Sequence, residues 1–265
     1  MEKNFLGVQV LQRAMDVLDV IGSSSEPVSL KAITERVELP KSTVYRILSN
    51  LESRGYVCCG NDGGYRLGLT FFTLGQRAEK GFELKRLVRP FMAKLNQFTC
   101  ESVHLGVLAR NRVLYLDSID SPNTIRLVAQ IGGTNAVHCT SLGKALLIIH
   151  SDEEIVQILA EAGMERRNQH TLVSPEVFLK EMEAVRRCGY AFDDRESNDE
   201  CFCVGAPIFN HLGQVIAAIS VSGPVSRVSR RIGETSIVPR LLEATRTISK
   251  SLGYADACAA TVDRR

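Results

Sequence analysis

The chain changes hydrophobic period near residue 56, and that change limits what its first part can fold into. Ahead of it, Val10, Leu11, Ala14, Val17, Leu18 and Ile21 recur three and four residues apart, which predicts an amphipathic helix over 8–21. Gly22-Ser23-Ser24-Ser25-Glu26-Pro27 is turn composition and ends it. Ser29 suits the N-cap of a second helix over 30–37, with Leu30, Ile33 and Val37 on one face. Glu38-Leu39-Pro40 interrupts again. A third helix is expected over 41–55, with Val44, Ile47, Leu48 and Leu51 inward and Gly55 as its stop. Beyond it, Tyr56-Val57-Cys58-Cys59 and Tyr65-Arg66-Leu67 read as short strands around the glycine-rich turn 60–64. Three helices, a tight link between the last two, and then a hairpin is the order of a winged helix-turn-helix, so residues 1–68 are assigned to that fold.

The next stretch is helical again: a linker helix over 69–81, then a longer helix over 83–98 with Leu84, Leu87, Val88, Phe91, Met92 and Leu95 inward. From residue 101 strands dominate, at 102–109, 113–117, 125–131, 190–193, 202–209 and 214–222. Helices are expected at 142–149, at 152–162 behind the capping box Ser151 to Glu154, at 175–188 between Ser174 and Gly189, and at 235–252. The fold class is therefore α+β, with a second, mixed domain over 82–254 and a disordered tail at 255–265. A length of 265 residues suits two domains, and 45% hydrophobic with 23% charged residues supplies two cores and excludes wholesale disorder. The longest apolar runs, 145–149 and 215–219, fall far short of a membrane span, and the opening residues lack the apolar core of a secretory signal. A cytoplasmic protein is expected.

The eight cysteines form no C-x-x-C pair and belong to a chain too large for a disulfide-stapled module, so reduced, mostly buried thiols are expected. Over residues 1–90, Lys and Arg outnumber Asp and Glu by 13 to 10, whereas over 91–265 they trail by 19 to 20. The surplus points weakly to an anionic partner for the first domain.

Once the apolar stripe of the third helix is removed, Lys41, Ser42, Thr43, Tyr45, Arg46 and Asn50 remain, all hydrogen-bond donors. Residues at the start of a recognition helix reach base edges, and Ser, Thr and Lys near its N-terminus suit phosphate oxygens. Ser29 joins them at the preceding cap. On the wing, Gly63 and Gly64 permit close backbone approach, and Tyr65 and Arg66 are candidates for sugar and phosphate contact. The alternative is a merely solvated polar face.

The run Leu39-Pro40-Lys41-Ser42-Thr43-Val44-Tyr45-Arg46-Ile47-Leu48, continued by residues 51–57 and by Gly64-Tyr65-Arg66-Leu67-Gly68, resembles the DNA-binding domain of the IclR family of bacterial transcriptional regulators. Glu101-Ser102-Val103-His104-Leu105, residues 138–145, residues 189–194, residues 203–209 and Ser220-Val221-Ser222-Gly223-Pro224 resemble that family's effector-binding domain in order and spacing. Together these cover residues 8–254. The resemblance implies a GAF-like domain with a pocket for a small organic acid, lined by Ser141, Leu142, Gly143, Asp193, Cys203, Ser220 and Ser222. A helix starting at Leu142 would offer free N–H groups to a carboxylate. Two serines and a thiol would meet ligand oxygens, and Asp193 would accept from ligand hydroxyls, which favours a sugar or keto acid over a purely aromatic one. The bland readings are that the serines space a sheet face, Asp193 serves a turn and Cys203 packs the core. Glu200-Cys201 and Gly133 depart from the family's common Gly-Val and arginine, which suggests an unusual pocket rim.

Catalysis by His104, His138 or His170 with a cysteine, or by Asp193, Asp194 and Glu196, is not expected, since His138 and Cys139 as strand neighbours would face opposite ways. No cofactor or metal is expected. The alternative weighed against an acid sensor is a metal- or redox-responsive regulator using Cys139, Cys201, Cys203 and His138. The resemblance further implies a transcriptional regulator, more readily a repressor. It implies a dimer or tetramer that holds two recognition helices on a pseudo-palindromic operator in double-stranded DNA.

Overall fold

The computed structural model describes residues 8–80, 83–231 and 237–255, and the chain divides into two compact units between Glu83 and Leu84. The first unit runs α1 (Gln9–Gly22), β1 (Val28–Ser29), α2 (Leu30–Val37), α3 (Lys41–Ser53), β2 (Val57–Cys59), β3 (Gly64–Leu67) and α4 (Leu69–Lys80). Val17, Ile21, Ile33, Val44, Ile47 and Leu48 form its core with Val28, Val57 and Tyr65, so the stripes of α2 and α3 face inward, while that of α1 does so only from Ala14 on and leaves Val10 and Leu11 exposed. Ser29 caps α2 by accepting from the Ala32 N–H at 3.2 Å. The turn to α3 is made by Glu38 in the left-handed region at φ 53°.

β1 was not expected. It pairs antiparallel with β3, Val28 opposite Tyr65 and Ser29 opposite Gly64, to make a three-stranded sheet in the order β1-β3-β2. Two residues carry no readable period. The linker helix expected over 69–81 is α4, ending at Lys80, and residues 81–82 lie outside the described residues, as do 256–265 of the expected tail.

The second unit runs α5 (Glu83–Thr99), β4 (Ser102–Ala109), β5 (Arg112–Ile119), β6 (Thr134–Asn135), α6 (Ser141–Leu146), α7 (Asp152–Ala162), α8 (Pro175–Cys188), β7 (Ala191–Asp194), β8 (Cys201–Phe209), β9 (Val215–Pro224), α9 (Val225–Val228), a 3-10 turn at Ser229–Arg231 and α10 (Ile237–Ser251). Six antiparallel strands pair in the order β6-β5-β4-β9-β8-β7. One face carries Val103, Leu105, Val204, Ala206, Ile208, Ile219 and Val221 against Val88, Met92 and Leu95 of α5 and Leu241 and Ile248 of α10. The opposite face packs on α6, α7 and α8 through Leu142, Leu146, Ile155, Leu159, Phe178 and Met182. Helices on both faces explain why β8 and β9 are apolar almost throughout instead of alternating.

Caps located α7 and α8 at the residue: the Ser151–Glu154 box opens one, and Ser174 and the left-handed Gly189 bound the other. Two expectations fail. Residues 125–131 form no strand: the carbonyls of Ile125 and Leu127 go to side chains, Arg227 Nη2 donating at 2.9 Å and Ser102 Oγ at 2.6 Å, and Gln130 O accepts from the Gly133 amide in a turn. Pairing with β5 begins only at Gly132 and Gly133. The helix expected over 142–149 is α6, which ends at Leu146. The described part of the closing helix begins at Ile237. No helix among the described residues is long and apolar enough to cross a membrane.

Candidate nucleic-acid interface and ligand cavity

The outer face of α3 exposes Lys41, Ser42, Tyr45, Arg46 and Asn50, with Thr43 half-buried. Its N-cap is Pro40, whose side chain caps nothing, and intrahelical bonding starts with Thr43 and Val44 donating to Pro40 O at 2.8 and 3.1 Å. The amides of Lys41 and Ser42 therefore meet no side-chain cap, and they sit at the positive end of the helix dipole, where an anion is favoured. Asn50 Nδ2 donates to Arg46 O at 2.8 Å, which leaves its carbonyl oxygen for another partner. Arg66 on the wing is exposed and reaches Asp62 at 3.6 Å.

The wing corrects two sequence readings. Tyr65 is only 8% exposed and packs its ring in the core, and burial raises its phenol pKa. It supports the sheet; it is not a surface contact. Gly64 is buried against Pro27, where a Cβ would lie 2.5 Å from the proline Cβ, so its lack of a side chain serves packing. Gly63, at φ 74°, makes the turn. Ser29 holds the start of α2, as described above.

In the second unit, the sheet face opposite α5 carries two cross-strand rows of small or polar residues. Asp193, Cys203, Ser222 and Ser102 lie side by side, and next to them Gly205, Ser220, His104 and Ser118. Small side chains leave room above the sheet. The start of α6 closes over it because Gly205 has no side chain: a Cβ there would lie 2.6 Å from Ser141 O. The result is a cavity of about 120 Å3 lined by Ser141, Leu142, Asp193, Cys203, Ser220 and Ser222, together with His104, Tyr115, Asn135, Thr140, Ser197 and the segment 127–129. This volume lies well below the roughly 300–1,000 Å3 of sites for drug-sized ligands, so it suits a compact guest.

Gly143, nominated from the sequence, does not line the cavity. Its N–H goes to the Thr140 cap at 3.1 Å, and a Cβ would collide with Val137 O at 2.2 Å, so it is a packing glycine. Ser141 and Leu142 precede it at the helix start, where the first amides have no intrahelical acceptor. Asp193 also differs from its expected role. Its Oδ1 accepts from the amides of Glu196 and Ser197 at 2.8 and 3.2 Å, and its Oδ2 accepts from Ser197 Oγ at 2.5 Å. It is a turn-forming carboxylate that borders the cavity, and burial raises its pKa against those bonds. Ser220 and Ser222 hydroxyls are 3.3 Å apart.

Beneath the cavity, Lys144 is fully buried, with Nζ donating to Glu196 Oε1 at 2.5 Å and to Phe192 O at 3.0 Å. Burial lifts Glu196 to a pKa of about 7 despite that lysine. The pair ties α6 to the residues after β7. Sequence reasoning weighed His104 only as a catalytic candidate and within a family motif, not as a cavity residue, although strand alternation puts it on the same face as Ser102. It also missed Thr140, whose place just before Ser141-Leu142-Gly143 is that of an N-cap.

The alternative site of Cys139, Cys201, Cys203 and His138 does not assemble: among the described residues no three His, Cys, Asp or Glu side chains could hold a metal ion. His138 Nε2 faces Glu165 O at 3.1 Å. Burial pushes the Cys139 thiol to about 12, and the Cys201 hydrogen bond with burial raises Cys203, so both rest as thiols and not as the thiolates that oxidise readily.

The family model described as the IclR helix-turn-helix domain matches residues 10–58, and that of the bacterial transcriptional regulator IclR C-terminal matches residues 76–250. The chain is 34% identical over 250 residues to the HTH-type transcriptional regulator KdgR of Dickeya chrysanthemi, spanning 94% of this chain and 81% of that one. It is 29% identical over 250 residues to the HTH-type transcriptional repressor AllR of Klebsiella pneumoniae, spanning 93% and 91%. Among solved structures, an IclR homolog from Microbacterium hydrocarbonoxydans complexed with 4-hydroxybenzoate superposes with a TM-score of 0.80 at 26% identity, over 92% of this chain and 98% of that one.

Proposed function

Because the chain belongs to the IclR family of bacterial transcriptional regulators, we infer that it acts on operator DNA through α3 and the wing, and that a small organic acid in the 120 Å3 cavity changes how firmly it is held there. The observation that carries this reading is the meeting, above one sheet face, of two serine hydroxyls, a thiol and a helix start in a recess too small for a drug-sized ligand. Those groups suit the carboxylate and oxygen substituents of a keto or hydroxy acid. The relatives named as regulators and repressors support a regulatory role, with repression the favoured direction, over a catalytic one. The homolog's complex with 4-hydroxybenzoate supports an acid as ligand.

The DNA contacts fall to Lys41, Ser42, Thr43, Tyr45, Arg46, Asn50 and Arg66, with Ser29 at the preceding helix cap. Exposed Val10, Leu11 and Met15 of α1 and Leu69, Phe72 and Leu74 of α4 give the first unit an apolar surface that suits a second copy. Two copies would address a pseudo-palindromic operator, in the cytoplasm where the DNA is. Acid binding would shift the preferred spacing of the paired units through the stretch 69–98. A coupling of about 1–3 kcal/mol would change operator affinity roughly 5 to 150-fold.

Gel shifts on the gene's own upstream DNA, with and without a panel of keto, sugar and aromatic acids, test both halves. Specific retardation altered by one class of acid supports the reading, and no retardation at low salt overturns it.

A further inference from the structure

None of the described residues that line the cavity is lysine or arginine, and its ionisable groups are His104, Tyr115, Asp193 and Cys203. Tyr115 is held neutral by burial, and Cys203 by the Cys201 hydrogen bond and burial. Lys144 gives its ammonium to Glu196 and Phe192 O. An entering carboxylate would thus meet no fixed cation. We propose that the acid is taken up together with one proton, which resides on His104 and makes that ring the counter-ion of the ligand. The inference rests on reading the cavity as an acid site.

His104 sits on β4 with 4% of its surface exposed, Nδ1 3.1 Å from Ser118 Oγ, and its ring edge-on to Tyr115 at 5.8 Å between centroids. The groups that face this region are Tyr115, Ser118 and the more distant Asp120 from β5 and its end, Ser220 and Ser222 from β9, Cys203 from β8, Asp193 from β7, and the apolar segment 127–129. Without a ligand, burial lowers the imidazole to about 4, opposed only by Asp120, so the ring is neutral near pH 7. A carboxylate in contact reverses the balance, because a low dielectric strengthens attraction between opposite charges as it penalises a lone one. Asp193, whose pKa burial already raises, has both oxygens engaged by Glu196 and Ser197, and even when protonated it is neutral and offers an acid no positive charge. The step is a balanced association: one carboxylate and one proton enter, and no covalent bond changes.

Calorimetric titration of the full chain with pyruvate, gluconate and 4-hydroxybenzoate, in phosphate and in Tris at equal pH, counts the protons taken up. These acids stay ionised above about pH 5, so any proton gained near neutrality goes to the protein. Uptake approaching one proton is expected, with affinity rising up to tenfold per pH unit as pH falls from 8 to 6. His104→Gln keeps a hydrogen-bonding side chain that does not titrate, and its affinity should be flat over the same range. The wild-type His104 ring carbon shift in NMR gives a readout free of any folding defect: neutral alone, imidazolium in the complex at the same pH. Binding without proton uptake, a neutral ring in the complex, or uptake that persists in His104→Gln each overturns the proposal. Failure of all three acids to bind at any pH instead removes the acid reading of the cavity, and this inference with it.

Discussion

A buried imidazole marks the ligand-free protein as well as its complex. Because burial holds His104 near pH 4 against an ordinary 6.5, the folded chain resists a proton that the unfolded chain accepts. The stability carried by the neutral ring is fully present above pH 6.5 and is lost as pH falls toward 4, on the order of 3 kcal/mol in all. Denaturant unfolding of wild type and His104→Gln at pH 7 and pH 4.5 should show the variant losing less stability on acidification, and equal losses would contradict the buried neutral ring. At this scale the sequence was legible where period and chemistry agree. Cys203 on β8 and Ser220 and Ser222 on β9 fall on one sheet face and do line the cavity. Tyr65 was misread because a short strand does not announce which of its faces a third strand and a helix core will cover, and Asp193 because a carboxylate beside a turn reads the same whether it serves a ligand or its own backbone.

Elements are set by caps and close approaches. Glu38 occupies the left-handed region between α2 and α3, a conformation that costs an L-residue about 1 kcal/mol and glycine almost nothing. Glu38→Gly should therefore raise the melting temperature, by about 0.5–1 kcal/mol of stability, with operator binding retained, and a lower melting temperature would show that the side chain itself matters. Gly205→Ala should do the opposite: a Cβ 2.6 Å from Ser141 O must lift α6 from the sheet, at about 1–3 kcal/mol. It should also shrink the thermal shift given by an effector, which differential scanning measures. Helices with strong caps were legible nearly to the residue, as α2, α7 and α8 illustrate. The segment 125–131 was not, because apolar residues in an irregular strap, some exposed and some over a cavity, mimic the composition of a strand.

For the whole molecule, the two units should fail separately. Arg46→Ala or Lys41→Ala should weaken operator binding and, for a lost phosphate contact, flatten its salt dependence by about one unit of slope, while the effector thermal shift is unchanged. Ser220→Ala should weaken the effector response and leave ligand-free operator binding intact. Loss of both in one variant would indicate misfolding and not a missing contact. The strand order β6-β5-β4-β9-β8-β7 also fixes a calendar for biosynthesis. His104 leaves the ribosome more than a hundred residues before Ser220 and Ser222, with which it must share a wall, and β4 finds β9 only after everything between them has been made. No effector can therefore occupy the cavity of a nascent chain that has not yet reached Ser222.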